Sequence, residues 1–172
     1  MEFSLFPLGD KAIQILFKTP ISEKLNRHIQ LTANTIRSKE IVGLVEVVPA
    51  FQTITVYYDP MMIRYYDLVE KLHVICTSTY DEISAYMKEV VTIPVCYGGR
   101  FGEDLIQVAK HNNITEDEVI SLHCSKEYLV YMIGFLPGFP YLKGLSHKLH
   151  TPRLAEPRLK VPKGAVGIGG DQ

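Results

Sequence analysis

Two amphipathic helix patterns set among short β-rich runs limit the fold of this chain more than any other feature. Leu25, Ile29, Ala33 and Ile36 recur every three or four residues, which is the spacing of one buried helix face. A second face follows over residues 68–75, where Leu68, Val69, Leu72 and Ile75 have the same spacing. Short runs of β-branched and aromatic residues lie before and between these patterns, so we predict the α+β class.

The pattern of the first ninety residues predicts a small α+β domain. Ser22 is suited to cap the first helix, because its hydroxyl accepts a backbone hydrogen bond. Residues 90–96 supply either a last strand or the link onward. An order of strand, helix, two strands, helix and strand is that of a ferredoxin-like sandwich. We therefore predict a ferredoxin-like domain over residues 1–90 and a second domain over 91–172, with strands in the first domain at Phe3–Phe6, Ala12–Phe17, Val42–Val48 and Thr53–Tyr58.

Composition excludes several classes of function. A net charge of −1 over 172 residues gives no reason to expect a nucleic-acid partner. No run approaches the roughly 20 apolar residues of a membrane helix, and 47% hydrophobic with 22% charged residues is ordinary for a globular protein. Cys76, Cys96 and Cys124 are odd in number and far apart, which predicts buried free thiols in a cytoplasmic protein.

A loop at Gly134–Leu142 is the most distinctive local feature of the second half. It follows the apolar run Tyr128–Ile133, which predicts a buried strand. Pro137-Gly138 suits the central positions of a type II turn, because Pro fixes φ and Gly allows a positive φ. The loop contains the aromatic residues Phe135, Phe139 and Tyr141. We expect either a stiff loop that holds these side chains as a ligand wall or subunit interface, or a turn that packs them into the core.

The charges are unevenly distributed along the chain. Residues 1–127 carry 12 Lys and Arg against 17 Asp and Glu, whereas residues 128–170 carry six Lys and Arg against a single acidic residue. Pro152-Arg153, Pro157-Arg158 and Pro162-Lys163 repeat every fifth residue, which matches neither a helix nor a strand. We predict an irregular surface segment in which Arg153 and Arg158 bind a carboxylate or phosphate, or else pair with acids of the first half.

Few residues suggest catalysis within the chain alone. His123 is the best candidate for a general base, because it lies near the Tyr128 strand and titrates near neutral pH. His147 and His150 lie three residues apart without an obvious acidic or Cys partner, so we predict no metal site. The glycine-rich turn Tyr97–Gly102 lacks the phosphate-loop pattern, which places any ATP site outside this chain or between subunits. Thr115 with Glu118 predicts a capping box for a helix that reaches His123.

The last residues predict a further strand. Ala165–Gly170 is apolar and glycine-rich, and the chain stops soon after it. Because native domains avoid an unpaired terminal edge, we expect the sheet of the second domain to be incomplete in this chain or completed by a partner.

These motifs together resemble a known family. The chain is similar to the B subunit of bacterial 5-oxoprolinase, a family also described as the sporulation-kinase inhibitor KipI and as allophanate hydrolase subunit 1. The motifs that carry the resemblance are Tyr97-Gly98-Gly99-x-Phe101-Gly102-x-Asp104-Leu105, Gly134–Leu142, Pro152-Arg153, Pro157-Arg158 and Val161-Pro162-x-Gly164-x-Val166-Gly167-Ile168.

The resemblance implies both a fold and an activity. It implies a ferredoxin-like domain followed by a cyclophilin-like β-barrel, which would be truncated here because the family continues past Gln172. It also implies a complex with a cyclophilin-like C subunit and with an A subunit, in which ATP drives opening of 5-oxoproline to L-glutamate. Inhibition of a sporulation histidine kinase, or a role like that of urea carboxylase or allophanate hydrolase subunits, is the alternative. A prolyl isomerase role has only fold analogy behind it.

Overall fold

The chain forms two compact units. A computed structural model describes residues 1–78 and 89–172. The first unit spans Met1–Glu89 and the second spans Val90–Gln172. Both are mixtures of helices and antiparallel strands, so the α+β class predicted from the sequence is confirmed.

The first unit is built on a four-stranded antiparallel sheet. Its strands are β1 (Phe3–Pro7), β2 (Ala12–Phe17), β3 (Leu44–Pro49) and β4 (Thr53–Tyr58), and they lie in the order β1-β2-β4-β3. Gly9 has a φ of +67° in the turn between β1 and β2, a conformation that glycine adopts at little cost. Residues 90–96, predicted as a last strand or as the link onward, form no strand.

Two helices bury the apolar face of this sheet. Helix α1 (Glu23–Ser38) begins where the Ser22 hydroxyl accepts a hydrogen bond from the Leu25 N–H at 3.2 Å, as predicted. Helix α2 (Tyr65–Ser78) packs beside it. The predicted helix faces are confirmed, because they lie in a single core with residues of the central strands: Ile13, Ile15, Phe17, Leu25, Ile29, Ala33, Ile36, Ile54, Val56, Leu68, Leu72 and Ile75.

The second unit has shorter elements and a smaller core. After a 3₁₀ turn at Gly99–Phe101 come the helices α3 (Leu105–Asn112) and α4 (Glu116–Cys124). The strands β5 (Leu129–Ile133) and β6 (Pro140–Lys143) form an antiparallel hairpin, and a 3₁₀ turn at His147–Leu149 follows. The buried core consists of Ala109, Val119 and Leu149, lined by half-buried Leu105, Val108, Ile114, Leu122, Leu145 and Ile168.

Three sequence predictions for the second unit are wrong. The strand predicted as buried, β5, is buried only at Tyr131, since Val130 and Ile133 are exposed. Residues 165–170 do not form a strand, because in the described chain the segment finds only a single bridge, between Gly170 and Thr151. A strand needs a continuous hydrogen-bonding partner, and residues 152–164 run irregularly instead. The three thiols are free, but only Cys76 is buried. Cys96 lies in residues 90–96, which are exposed and form no helix or strand, and Cys124 is the exposed last residue of α4.

Candidate functional site

The Gly134–Leu142 loop is closed by backbone hydrogen bonds between β5 and β6. The Gly134 N–H donates to the Phe139 carbonyl at 3.0 Å, and the Phe139 N–H donates to the Leu136 carbonyl at 3.0 Å. The second bond spans Pro137-Gly138, and Gly138 has a φ of +78°, as a type II turn requires. The predicted stiff turn is therefore present.

Aromatic side chains project from this loop into solvent. Phe135 is 82% exposed and Phe139 is 41% exposed. The rings of Phe135 and Phe139 lie 5.8 Å apart, and those of Phe139 and Tyr141 lie 5.1 Å apart, both edge to face. Phe135 also has a φ of +64°, an uncommon conformation for a bulky residue and one that costs roughly 1–3 kcal/mol. The loop thus presents an ordered aromatic surface rather than a turn that packs its rings inward.

His123 is held by two tyrosines at the end of α4. Its Nδ1 lies 2.5 Å from the Tyr97 hydroxyl, which also lies 3.4 Å from the Sγ of Cys124. The Tyr128 hydroxyl donates to the His123 carbonyl at 3.0 Å. The imidazole packs against both phenol rings, at 5.7 Å from Tyr97 and 5.2 Å from Tyr128. We call these four residues the His123 cluster.

The electrostatics of the His123 cluster favour a neutral imidazole. Partial burial lowers the pKa of His123, because the charged form loses hydration. Burial also raises the pKa of Tyr97, with a further contribution from its hydrogen bond to Cys124, and burial raises the pKa of Tyr128. Near pH 7 these directions favour a neutral imidazole and a protonated Tyr97 phenol, and the tautomer of the imidazole decides which of the two groups donates in the bond between them.

The glycine-rich turn explains how Tyr97 reaches this position. Gly98 and Gly99 have φ values of +71° and +53°, and the Gly102 N–H donates to the Gly98 carbonyl at 3.0 Å. A Cβ on Gly102 would lie 2.5 Å from the Gly98 nitrogen, so only glycine fits there. Sequence reasoning treated this turn as a failed phosphate loop and missed Tyr97 as a partner of His123, although Tyr97 opens the family motif.

Arg158 is engaged by acidic residues at the start of α3. Its guanidinium contacts both carboxylate oxygens of Asp104, with Nη2 at 2.7 Å from Oδ1, and lies 3.8 Å from Glu103. The hydrogen bond from Arg158 holds the pKa of Asp104 below its ordinary value. This is the pairing with acids of the first half that the sequence left open as the alternative to anion binding. The contact anchors the irregular segment to α3 and uses the paired N–H groups of the Arg158 guanidinium.

Arg153 differs from Arg158 in having no ionic partner among the described residues. Within residues 1–78 and 89–172, no carboxylate pairs with its exposed guanidinium. The side chain lies along Gly169, where a Cβ would come within 3.3 Å of the Arg153 Nε. Elsewhere in the second unit, Lys143 is neutralised by Asp171 at 2.9 Å. Arg153 is thus the better placed of the two predicted arginines to receive an external anion.

The remaining predicted site residues do not come together with His123 in a single site. His147 begins the 3₁₀ turn and His150 follows it, both exposed, and the described residues contain no group of three His, Cys, Asp or Glu side chains suited to a metal ion. No hydrogen bond or ion pair among the described residues links His123 to Arg153 or to the aromatic loop.

Comparisons with known proteins decide the family. The family model for the carboxyltransferase domain, subdomain C and D, matches residues 3–172. The 5-oxoprolinase B subunit of Bacillus subtilis (strain 168) is 37% identical, in an alignment covering 100% of this chain and 75% of that protein. This chain belongs to the family of 5-oxoprolinase B subunits. The resemblance drawn from its motifs is thereby confirmed.

Solved structures share the fold of this chain. A crystal structure of the protein TTHA0988 superposes with a TM-score of 0.81 at 33% identity, covering 94% of this chain and 31% of that chain. The urea carboxylase of Kluyveromyces lactis superposes with a TM-score of 0.61 at 13% identity, covering 82% of this chain and 14% of that one, which shows a shared fold alone. Among the described helices, none is long and apolar enough to cross a membrane.

Proposed function

We propose that this chain is one subunit of a cytoplasmic, ATP-dependent 5-oxoprolinase that cleaves 5-oxoproline to L-glutamate together with the A and C subunits. The observation that carries the proposal is the match to the 5-oxoprolinase B subunit along the whole chain. In this proposal residues 1–90 are the ferredoxin-like domain and 91–172 contribute part of a cyclophilin-like barrel. The four-stranded antiparallel sheet with both helices on one face supports the first of these assignments.

The chemistry explains why the chain would act within a complex. A lactam carbonyl resists water, and transfer of a phosphoryl group from ATP to its oxygen makes the carbon electrophilic. Water then adds to that carbon, and the ring opens as the bond between carbon and nitrogen breaks and the leaving nitrogen takes up a proton. Hydrolysis of the resulting acyl phosphate releases inorganic phosphate and leaves the side-chain carboxylate of glutamate. The sequence has no phosphate loop, so ATP would bind to the assembled complex. We expect no activity from this chain alone.

Within this reaction we assign His123 the role of general base. Its neutral imidazole can accept a proton at Nε2 when Nδ1 carries the ring hydrogen and donates it to the Tyr97 hydroxyl, and this hydrogen bond fixes the orientation of the ring. The half-buried position gives contact with solvent, through which a water molecule can approach.

The anion contact in the proposal is Arg153. Its planar guanidinium can form two parallel hydrogen bonds to the 5-oxoproline carboxylate or to a phosphate, and it has no carboxylate partner in the described chain. Arg158 was predicted for the same role, but its guanidinium is already hydrogen-bonded to Asp104, so Arg158 would hold residues 152–164 in place.

The aromatic loop is assigned to a ligand wall or to the interface with another subunit. Pro137 and Gly138 fix the turn, and Phe135, Phe139 and Tyr141 form the ordered surface. A surface that is rigid before binding loses little conformational entropy when it is covered, which favours both roles.

Reconstitution tests the proposed function. The purified A and C subunits are mixed with 5-oxoproline and ATP, with and without this chain, and glutamate and ADP are both measured. We expect glutamate only when this chain is present. Equal glutamate formation without it would refute the proposal and leave the kinase-inhibitor and urea carboxylase-like alternatives, the first of which predicts loss of autophosphorylation in a purified histidine kinase.

A further inference from the structure

One side chain on the buried face of α1 can take up a proton near neutral pH. His28 is 0% exposed and lies on the same helix face as Leu25 and Thr32, about one turn from each. Its imidazole packs edge to face against Phe17 of β2, with the ring centres 5.3 Å apart. Because this face of α1 covers the sheet, water reaches the imidazole only when α1 moves away from the sheet.

The surroundings of His28 oppose an imidazolium. Burial lowers the pKa of His28, because the charged form loses its hydration, and repulsion from the amino group of Met1 lowers this pKa further. Lys24 precedes His28 by about one turn of α1 and is also cationic. The neutral imidazole is therefore the form that the folded first unit holds.

The elements packed against α1 supply no buried counter-charge among the described residues. Strands β1 and β2 contain no charged residue, and no Asp or Glu of the described chain is buried. The titratable groups in the same core are the Cys76 thiol, whose pKa burial raises to about 12, and the Tyr58 phenol. The other titratable side chains of β3, β4 and α2 lie partly or fully in solvent, and they are Glu46, Tyr57, Tyr65, Tyr66, Asp67, Glu70, Lys71 and His73.

A second histidine of the first unit provides an internal comparison. The Phe17 ring lies 6.2 Å from the ring of Phe3, which in turn lies 5.4 Å from the imidazole of His73 on α2. His28 and His73 are the histidines of this unit, and each packs against a phenylalanine, but His73 is exposed. The two side chains thus have similar ring contacts and differ in burial, so the same substitution at His73 is a matched control.

We propose that His28 is an acid switch in the first unit, in which protonation of the imidazole releases α1 from the sheet. When α1 is open, the imidazole takes up a proton at its ordinary pKa of 6.5, whereas in the folded unit it does so only at lower pH. The open form therefore binds more protons below pH 6.5, and the stability of the closed form falls as the pH decreases through that range. This inference goes beyond the proposed 5-oxoprolinase function and does not depend on it.

The test is hydrogen-exchange mass spectrometry of the full chain at pH 7 and pH 5. The exchange rate of residues 30–38 in the unmodified chain is divided by the rate in His28→Leu at the same pH, which cancels the pH dependence of the exchange chemistry. One group with an ordinary pKa of 6.5 can raise the opening of α1 by at most about 25-fold between these pH values, and we expect a rise of about 5- to 25-fold in this ratio. His73→Leu, used in place of the unmodified chain, should give the same rise. A rise of less than about fivefold in the unmodified chain, or loss of the rise in His73→Leu, would overturn the proposal.

Two measurements on the unmodified chain keep the proposal testable if His28→Leu fails to fold. A synthetic peptide of residues 23–38 then supplies the exchange chemistry at each pH, and the opening of α1 should show the same rise relative to it. The Cε1–H resonance of His28, followed by NMR from pH 7 to pH 5, should keep the position of a neutral imidazole while α1 remains folded. A His28 resonance that moves to the imidazolium position with α1 still protected from exchange would contradict the switch.

Discussion

Leu149 gives the sharpest test of how the second unit is held together. Its side chain is 0% exposed and packs between Ala109 on α3 and Val119 on α4. Replacing a buried Leu by Ala costs about 2–5 kcal/mol, and the half-buried neighbours here can partly close the cavity, so we expect about 2–3 kcal/mol. Amide exchange through opening of α3 and α4 should then accelerate about 30- to 150-fold, measured by hydrogen-exchange mass spectrometry of the Leu149→Ala chain.

The matched control for this change is Leu159→Ala. It makes the same chemical substitution at a side chain that is fully exposed, so exchange in α3 and α4 should stay as in the unmodified chain. Peptides of α1 provide the reference within each sample, because α1 belongs to the other unit. Acceleration of less than about threefold in Leu149→Ala would show that this side chain does not hold the two helices together.

Two further predictions concern the aromatic loop and the anchor of the irregular segment. Gly138→Ala should lower the stability of the second unit by about 1–2 kcal/mol, because Gly138 has a left-handed backbone conformation. Gly167→Ala should have little effect on thermal unfolding, because φ at Gly167 is not in the left-handed region and a Cβ there would meet open space. Equal effects of the two substitutions would refute the turn assignment. Because Arg158 lowers the pKa of Asp104, the stability from this pair is present above the ordinary pKa of 3.8 and is lost as pH falls through the lowered folded value. Acid unfolding should therefore have a weaker pH dependence in Asp104→Asn, and an unchanged profile would show that the pair contributes nothing.

Local features of the structure follow from the sequence alone. The Ser22 cap, the Thr115–Glu118 capping box and the buried face of α1 all depend on residues within four positions of each other. The Pro137-Gly138 turn belongs to the same class, because two residues set its backbone angles.

Features that depend on distant residues were missed or wrongly predicted. Tyr97 and His123 are 26 positions apart, and Arg158 and Asp104 are 54 apart, so no spacing rule indicates that they meet. The strand predicted at 165–170 had suitable residues but lacked a partner strand, which a single sequence does not reveal. The exposure of Cys124 likewise depends on which side of α4 the core covers.

The effect of Arg153 on substrate binding is the quantity that tests the proposed site most directly. The measurement is the KM for 5-oxoproline in the complete complex with the A and C subunits, carrying either Arg153→Ala or Arg158→Ala. Loss of a charged hydrogen-bonding partner for the substrate should raise the KM about 10- to 150-fold in Arg153→Ala. Arg158→Ala should raise it less, because the Arg158 guanidinium already binds Asp104 and affects the substrate only by holding the segment in place. An unchanged KM in Arg153→Ala together with a raised KM in Arg158→Ala would contradict the account.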